Sequence, residues 1–278
     1  MDLWHVAAAL LSAVLHAGWN AAVKMNAKPA EIMTAQMVLS AVIGVPGFLW
    51  TGLPAEQSWV WIAGSTALNL VTVTALLRAY ELIGFGTAYP VVRALSVLLV
   101  VPLAASVTGE RLSVFGFLGI GLIVASLLLL AFAGSPHGKI PRAGFFWLAI
   151  AGISAAAYVM CDAQGVRRAG SPLAYGFMVS ITNALAMSIA RGAIARPLQM
   201  VREHALAALP IAVASTASYL LILWVFRNAP IAPSAALRDT SSIFALVIAV
   251  LWLKEPFTPL RLFAILLSAA AVPLLRLS

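Results

Sequence analysis

The sequence predicts an all-α integral membrane protein, with ten transmembrane helices arranged as two inverted five-helix repeats around a central cavity. Three observations carry that expectation. Of 278 residues, 63% are hydrophobic and only 9% charged, against roughly 25% charged in a soluble domain that faces water on all sides. The apolar residues gather into stretches of about 20, the length that crosses a hydrocarbon core of roughly 30 Å at 1.5 Å per residue. Polar residues of one half recur in the other at a fixed offset, which marks an internal repeat.

The apolar segments run at residues 3–23, 31–51, 59–82, 86–107, 113–133, 144–166, 173–192, 205–226, 233–253 and 259–277. No Lys or Arg precedes the first and no small-x-small site clearly closes it, so it reads as a retained span rather than a cleaved signal. It carries Ala9, Ala13, Ala17 and Ala21 at helical spacing, and the seventh carries Gly176, Ser180, Ala184, Ser188 and Gly192. Such faces let helices approach closely in lipid, where association rests on packing. Asn69 in the third span and Asn183 in the seventh need hydrogen-bond partners that a neighbouring helix can supply. Gly84, Gly86 and Pro90 open the fourth span, and Pro230 and Pro233 open the ninth. Breakers at matching places suit hinges for a rocking helix pair, and equally suit plain helix boundaries. Glu110 and Glu255 precede the fifth and tenth spans, where a carboxylate caps free N–H groups at the positive end of the helix dipole. Pro256 fits a first helical turn. The breaks, such as Gly134 to Lys139, are too short for a soluble domain. The segments are too long and too evenly apolar for the alternating strands of a membrane barrel.

The repeat is read from three pairs. Arg93 and Arg238, Ser96 and Ser241, and Glu110 and Glu255 all stand 145 positions apart, in stretches poor in charge. A weaker match at an offset of 142 pairs Ser12 with Ser154, His16 with Tyr158 and Asn20 with Asp162. The halves are then 1–135 and 136–278, with five spans each. Because five is odd, the second half enters the membrane in the opposite sense. That architecture is typical of alternating-access carriers with a binding site between the halves.

Two five-helix halves, each with a Glu-x-Leu/Phe-Ser/Thr step between its fourth and fifth spans, resemble the EamA-type drug/metabolite transporter superfamily. The step reads Gly109-Glu110-Arg111-Leu112-Ser113 and then Lys254-Glu255-Pro256-Phe257-Thr258, looser in its second copy. Within that superfamily the chain resembles bacterial amino-acid exporters of the YddG type. The resemblance implies a multi-pass carrier of the bacterial inner membrane, with a central cavity, that exports small metabolites. Amino acids with aromatic or other apolar side chains come first, and drugs or other small metabolites are the alternative.

Orientation divides two arguments. Ten Lys and Arg fall in the breaks on the side opposite the termini and five on the termini side, so the positive-inside rule favours external termini. The resemblance implies cytoplasmic termini. Both readings stand open at this point.

Charge at membrane depth is costly, about 2.5–3.5 kcal/mol on insertion scales, so each instance is a candidate for function. Arg93 and Arg238 suit a substrate carboxylate, which a planar guanidinium holds with two parallel hydrogen bonds. Snorkelling, or a partner such as Asp239, is the structural alternative. His16 and Asn20 share a helix face beside Trp19, and Tyr158 and Asp162 share one in the sixth span. Asp162 suits a substrate ammonium or a coupling proton, unless these residues lie at the membrane surface beside Lys24 and Arg167. Tyr80, Tyr89 and Tyr219, with Tyr175 and Trp224, are aromatic candidates for the cavity wall, although most membrane aromatics sit at headgroup level. Asp162, Asp239 and Glu81 are the candidate proton carriers.

Other function classes fare worse. No His-Glu-x-x-His or Gly-x-Ser-x-Gly occurs and the four histidines are dispersed, so an intramembrane enzyme is disfavoured. A channel usually rings its pore with identical subunits, whereas one pseudo-symmetric chain suits a carrier working as a monomer. The lone Cys161 allows no internal disulfide or cysteine-based metal site, and no cofactor is implied. The net charge of +8 is scattered in ones and twos, which does not suit nucleic acid. The expected partners are the lipid bilayer and a small-molecule substrate.

Overall fold

The computed structural model describes residues 1–133, 141–190, 195–251 and 258–278. Every regular element among them is helical. In order they are α1 (Leu3–Lys24), α2 (Pro29–Thr51), a single 3-10 turn (Glu56–Ser58), α3 (Trp59–Ile83), α4 (Phe85–Thr108) and α5 (Val114–Ala133). The second half follows with α6 (Arg142–Arg168), α7 (Pro172–Ala190), α8 (Ala195–Asn228), α9 (Ile231–Asp239), α10 (Ser241–Leu251) and α11 (Pro259–Arg276). Ten of the spans these helices make are long and apolar enough to cross a membrane, with α9 leading into α10 as the ninth. Of the expected breaks, Gly134 to Lys139, Arg191 with Gly192, and Lys254 to Phe257 with Glu255 and Pro256 lie outside the described residues.

Local chemistry sets the helix ends. Pro at the first turn opens α2 and α11, where its missing N–H costs nothing. The Thr258 hydroxyl accepts from Arg261 N at the start of α11. Gly84 (φ 87°) ends α3, and Gly109 (φ 68°) ends α4, both in the left-handed region that favours glycine. Two expected spans are corrected. The eighth begins at Ala195 rather than 205, because Arg202 and Glu203 are exposed on a helical extension at one end of the span. The ninth is two helices, cut at Thr240. There the Thr240 N–H and hydroxyl both donate to Leu237 O, at 3.3 and 2.6 Å, a tight local bond that competes with the regular helical ladder.

Packing follows a two-fold pattern between the halves. α3 packs on α6 as α8 packs on α1. α2 packs on α8 as α7 packs on α3, and α4 packs on α6 as α9 and α10 pack on α1. The pairs α2 with α7 and α5 with α11 lie across the relation itself. Each of these contacts has its counterpart when the halves are exchanged, as an inverted repeat requires. The small-residue faces do what lipid packing demands. Ala9, Ala13 and Ala17 are fully buried on α1, and Gly176 of α7 is in close contact with Leu220 and Leu223 of α8.

Ten crossings put both termini, and the connections at 52–58, 109–113, 169–171 and 229–230, on one side. The main buried cluster fills the bundle on that side, from Val6 and Ala9 through Val166, Tyr175 and Phe226 to Leu275.

Candidate substrate-binding site

The opposite half of the bundle is open. A cavity of about 610 Å³ runs in from the side of the 25–28 and Gly84 connections, a volume in the range of small-molecule sites. α1, α2, α3, α4, α6, α7, α8 and α9 all contribute to its wall. Its depth follows from where each helix enters it. Tyr80, Tyr89, Trp19 and Asn20 stand near the mouth, while Asp162, Ser65, Tyr219 and Arg238 form the floor. Arg238 is seven residues from the start of α9, so the floor lies about 10 Å from the termini side.

Ten of the candidate side chains of the sequence line this one cavity: His16, Trp19, Asn20, Tyr80, Tyr89, Arg93, Tyr158, Asp162, Tyr219 and Arg238. Their surroundings differ sharply. Asp162 is 2% exposed, at the floor rather than the membrane surface. Its Oδ1 accepts from the Ser65 hydroxyl at 2.6 Å and from the Tyr175 hydroxyl at 3.2 Å, and its Oδ2 accepts from the Tyr219 hydroxyl at 3.0 Å. Three neutral donors hold the carboxylate in place without supplying an opposite charge.

Arg93 is tied down. Its Nη1 donates to Asp239 Oδ1 at 3.3 Å, its Nη2 lies 3.1 Å from His16 Nε2, and its guanidinium stands 5.0 Å over the Tyr89 ring. These contacts join α4 to α9 and α1. His16 in turn meets the edge of Trp19, and Asn20 spends its amide on His16 O at 2.7 Å. Arg238 has no such partner. Its Nε is buried without a hydrogen bond, and no carboxylate lies within ion-pair distance among the described residues. It is nevertheless within electrostatic reach of Asp162 and Asp239.

The hinge candidates fall at helix junctions. Gly84 links α3 to α4, Gly86 and Pro90 lie in the first turns of α4, Pro230 caps α9 and Pro233 lies in its first turn. Tyr175 is fully buried behind the floor rather than in the wall. Trp224 is 39% exposed and stacks on His5 instead, because its position on α8 points to the outer face. Glu81 pairs with Arg78 on the surface, both more than half exposed, so it is not inside the bundle.

Glu110 caps a helix, but not the one that follows it. Its Oε2 accepts from Ile231 N of α9 at 2.9 Å. Arg167 meanwhile donates to Phe226 O near the end of α8 and to Ala229 O just beyond it, each at 2.9 Å. A carboxylate at one helix start and a guanidinium at the preceding helix end suit both dipoles. At the mouth, Glu31 lies beside Glu203 and His204 in a group of metal-ligating type, but Lys28 Nζ and His204 already partner it, at 3.2 and 2.7 Å.

Sequence reasoning missed most of the neutral polar wall: Ser65, Gln36, Ser40, Thr72, Ser180 and Thr216. Single hydroxyls and amides in apolar helices carry no distinguishing pattern. Only the two-fold relation places them, since they come from the second, third, seventh and eighth spans.

The EamA-like transporter family matches the chain twice, over residues 2–132 and 142–277. A solved crystal structure superposes with a TM-score of 0.71 at 20% identity, covering 99% of this chain and 97% of that one, a likeness of fold. Among curated proteins nothing matches.

Proposed function

The chain belongs to the EamA-like transporter family, and from that premise we propose that it exports amino acids by alternating access. The observation that carries the reading is the presence at the cavity floor of a buried guanidinium with no hydrogen-bonded or ion-paired partner among the described residues, Arg238, and a carboxylate hydrogen-bonded by hydroxyls, Asp162. An α-amino acid offers the complement of both. Its carboxylate takes parallel hydrogen bonds from Arg238, and its ammonium takes Asp162. Trp19, Tyr80, Tyr89 and Tyr158, with Leu76 and Leu77, provide the wall for an aromatic or apolar side chain. A cationic drug would use Asp162 alone and leave Arg238 uncompensated. That cost favours the zwitterion over the wider range of drugs and metabolites.

The cavity is open at one end and closed at the other by the main buried cluster, which is one of the two states an inverted repeat can exchange. Gly84, Gly86 and Pro90 in one half and Pro230 and Pro233 in the other lie where each half would flex. The natural setting of this reading is the bacterial inner membrane, with the chain working as a monomer. It requires no chemistry on the substrate and no cofactor.

The test uses purified protein in proteoliposomes preloaded with mixed amino acids, with and without a pH gradient. Selective release is the expected result, and a response to the gradient assigns a proton to the cycle. Release of no amino acid from well-incorporated protein overturns the reading in favour of other metabolites.

A further inference from the structure

Three hydroxyls donate to the carboxylate at the cavity floor, and they divide unevenly between its oxygens. Asp162 Oδ1 accepts from Ser65 at 2.6 Å and from Tyr175 at 3.2 Å, while Oδ2 accepts from Tyr219 alone among the described residues, at 3.0 Å. Ser65 and Tyr219 belong to the cavity wall, whereas Tyr175 does not. It is fully buried in the main cluster of the termini side and approaches Asp162 from behind. Local sequence puts it there. α6 gives way to a left-handed Gly170 (φ 76°), and Ser171 precedes α7, its hydroxyl accepting from Ala174 N at 3.3 Å. This tight reversal returns Tyr175, in the first turn of α7, along the last turns of α6.

There the ring lies across Gly165. A Cβ at that position would overlap Cε2, Cζ and the hydroxyl of Tyr175, so the missing side chain on α6 is what lets the hydroxyl reach Asp162. Helix formation alone would favour alanine at such an interior position. The Tyr175 hydroxyl has a second acceptor within reach, Cys161 O at 3.3 Å, but a carboxylate holds a donor more strongly than a neutral carbonyl does. Each carboxylate oxygen offers about two acceptor sites. Oδ1 has both filled and Oδ2 has one, so the site left over lies on the Tyr219 side, in the cavity wall.

We infer that Tyr175, although outside the cavity, is a positioning residue for substrate recognition: with Ser65 it fills Asp162 Oδ1 and so leaves Oδ2 to receive the ammonium group of an amino acid. This rests on the amino-acid reading of the floor and names the receiving atom. A substrate can displace a wall hydroxyl such as that of Ser65 or Tyr219. It cannot reach Tyr175, which has no exposed surface, so this bond persists when the site is occupied. The carboxylate then keeps its orientation while the ammonium binds, which is how a supporting hydrogen bond behind a binding group sharpens recognition.

The test measures release of phenylalanine and leucine from proteoliposomes against load concentration. The competitor is 3-phenylpropionate, which has the carboxylate and ring of phenylalanine but no ammonium. Tyr175→Phe keeps the ring on Gly165 and removes only the hydroxyl. It is expected to raise KM for the amino acids about tenfold, the scale of a lost hydrogen bond to a charged group, with the maximal rate and the inhibition by 3-phenylpropionate unchanged. Gly165→Ala reaches the same hydroxyl from the other side, by moving the ring, and is expected to raise KM in the same selective way. An unchanged KM in both variants overturns the positioning role and leaves the amino-acid reading standing. So does a weakening of 3-phenylpropionate by the same factor, or a fall in maximal rate alone. Release of neither amino acid by the unaltered protein removes the amino-acid reading itself, and the role of Tyr175 with it.

Discussion

A guanidinium at membrane depth is stable where a carboxylate faces it, and Arg93 has Asp239 at 3.3 Å with only 15% and 7% of the two side chains exposed. Truncating one member of such a pair leaves the other as an uncompensated buried charge, at a cost of about 3–5 kcal/mol. Arg93→Ala is therefore expected to destabilise the protein strongly in thermal unfolding in detergent. Adding Asp239→Asn is expected to recover much of that loss. Arg238, the repeat counterpart of Arg93, has no carboxylate within ion-pair distance among the described residues. Arg238→Met is expected to leave the unfolding temperature unchanged or raised while abolishing amino-acid release. An equal loss of stability from both substitutions would remove the division between a structural and a binding arginine. The sequence placed both residues at depth, and 145 positions apart, but it gave them equal standing. What separates them is Asp239, which adjoins Arg238 along the chain yet bonds to Arg93 across the bundle. Only a folded packing of α4 on α9 reveals that choice. Asp162 shows the same limit, since two of its three donors, Ser65 and Tyr219, come from helices distant in sequence.

Helix ends carry their own predictions. Glu110 reaches across the two halves to the N-terminus of α9, and its neighbours pull its carboxyl in opposing directions. Burial raises its pKa above the ordinary 4.5, while hydrogen bonds from Ile231 and Ala232 and the charge of Arg167 lower it, and the net direction is upward. The folded protein thus binds this proton more tightly than the unfolded chain does. The carboxyl's contribution to stability is full below 4.5 and diminishes as pH rises through the raised value. Glu110→Gln retains an oxygen acceptor for Ile231 and is expected to flatten that part of a stability–pH profile. Glu110→Ala removes the cap and is expected to cost about 1 kcal/mol at any pH. An unaltered profile in Glu110→Gln would show that this carboxyl does not titrate in the window. Gly84 tests a different constraint. At φ 87° an added Cβ has open space but strained backbone, so Gly84→Ala is expected to cost about 1–2 kcal/mol through the backbone alone. Breakers and capping carboxylates were readable as helix boundaries because they act locally. The helix that Glu110 caps was not, because the acceptor lies in the first repeat and the donors in the second.

The whole molecule poses the question of which way the cavity faces. Exposed Lys24, Lys28, Arg78, Arg142 and Arg202 all lie on the mouth side, at or near helix ends. They belong to the larger share of Lys and Arg that falls on that side, and the rule that places loops by Lys and Arg assigns it to the cytoplasm. On the termini side, Arg167 and Arg227 are spent on backbone carbonyls at the end of α8 and in the neighbouring connections, so local structure accounts for much of the basic charge there. The expected topology is a cytoplasmic mouth with external termini, opposite to the orientation that family likeness implies. In a Cys161→Ser background, a cysteine at exposed position Gln57 on the termini side is then expected to react with a membrane-impermeant maleimide in intact cells. One at exposed Ala27 on the mouth side is expected to react only after permeabilisation. Under that topology the open cavity is the loading state of an exporter, with Arg238 and Asp162 accessible from the cytoplasm and the cluster from Val6 to Leu275 sealing the exit. The reverse labelling would make the same cavity the release state. Substrate would then reach the floor only after the buried cluster opens, and substitutions that loosen that cluster would speed loading rather than release.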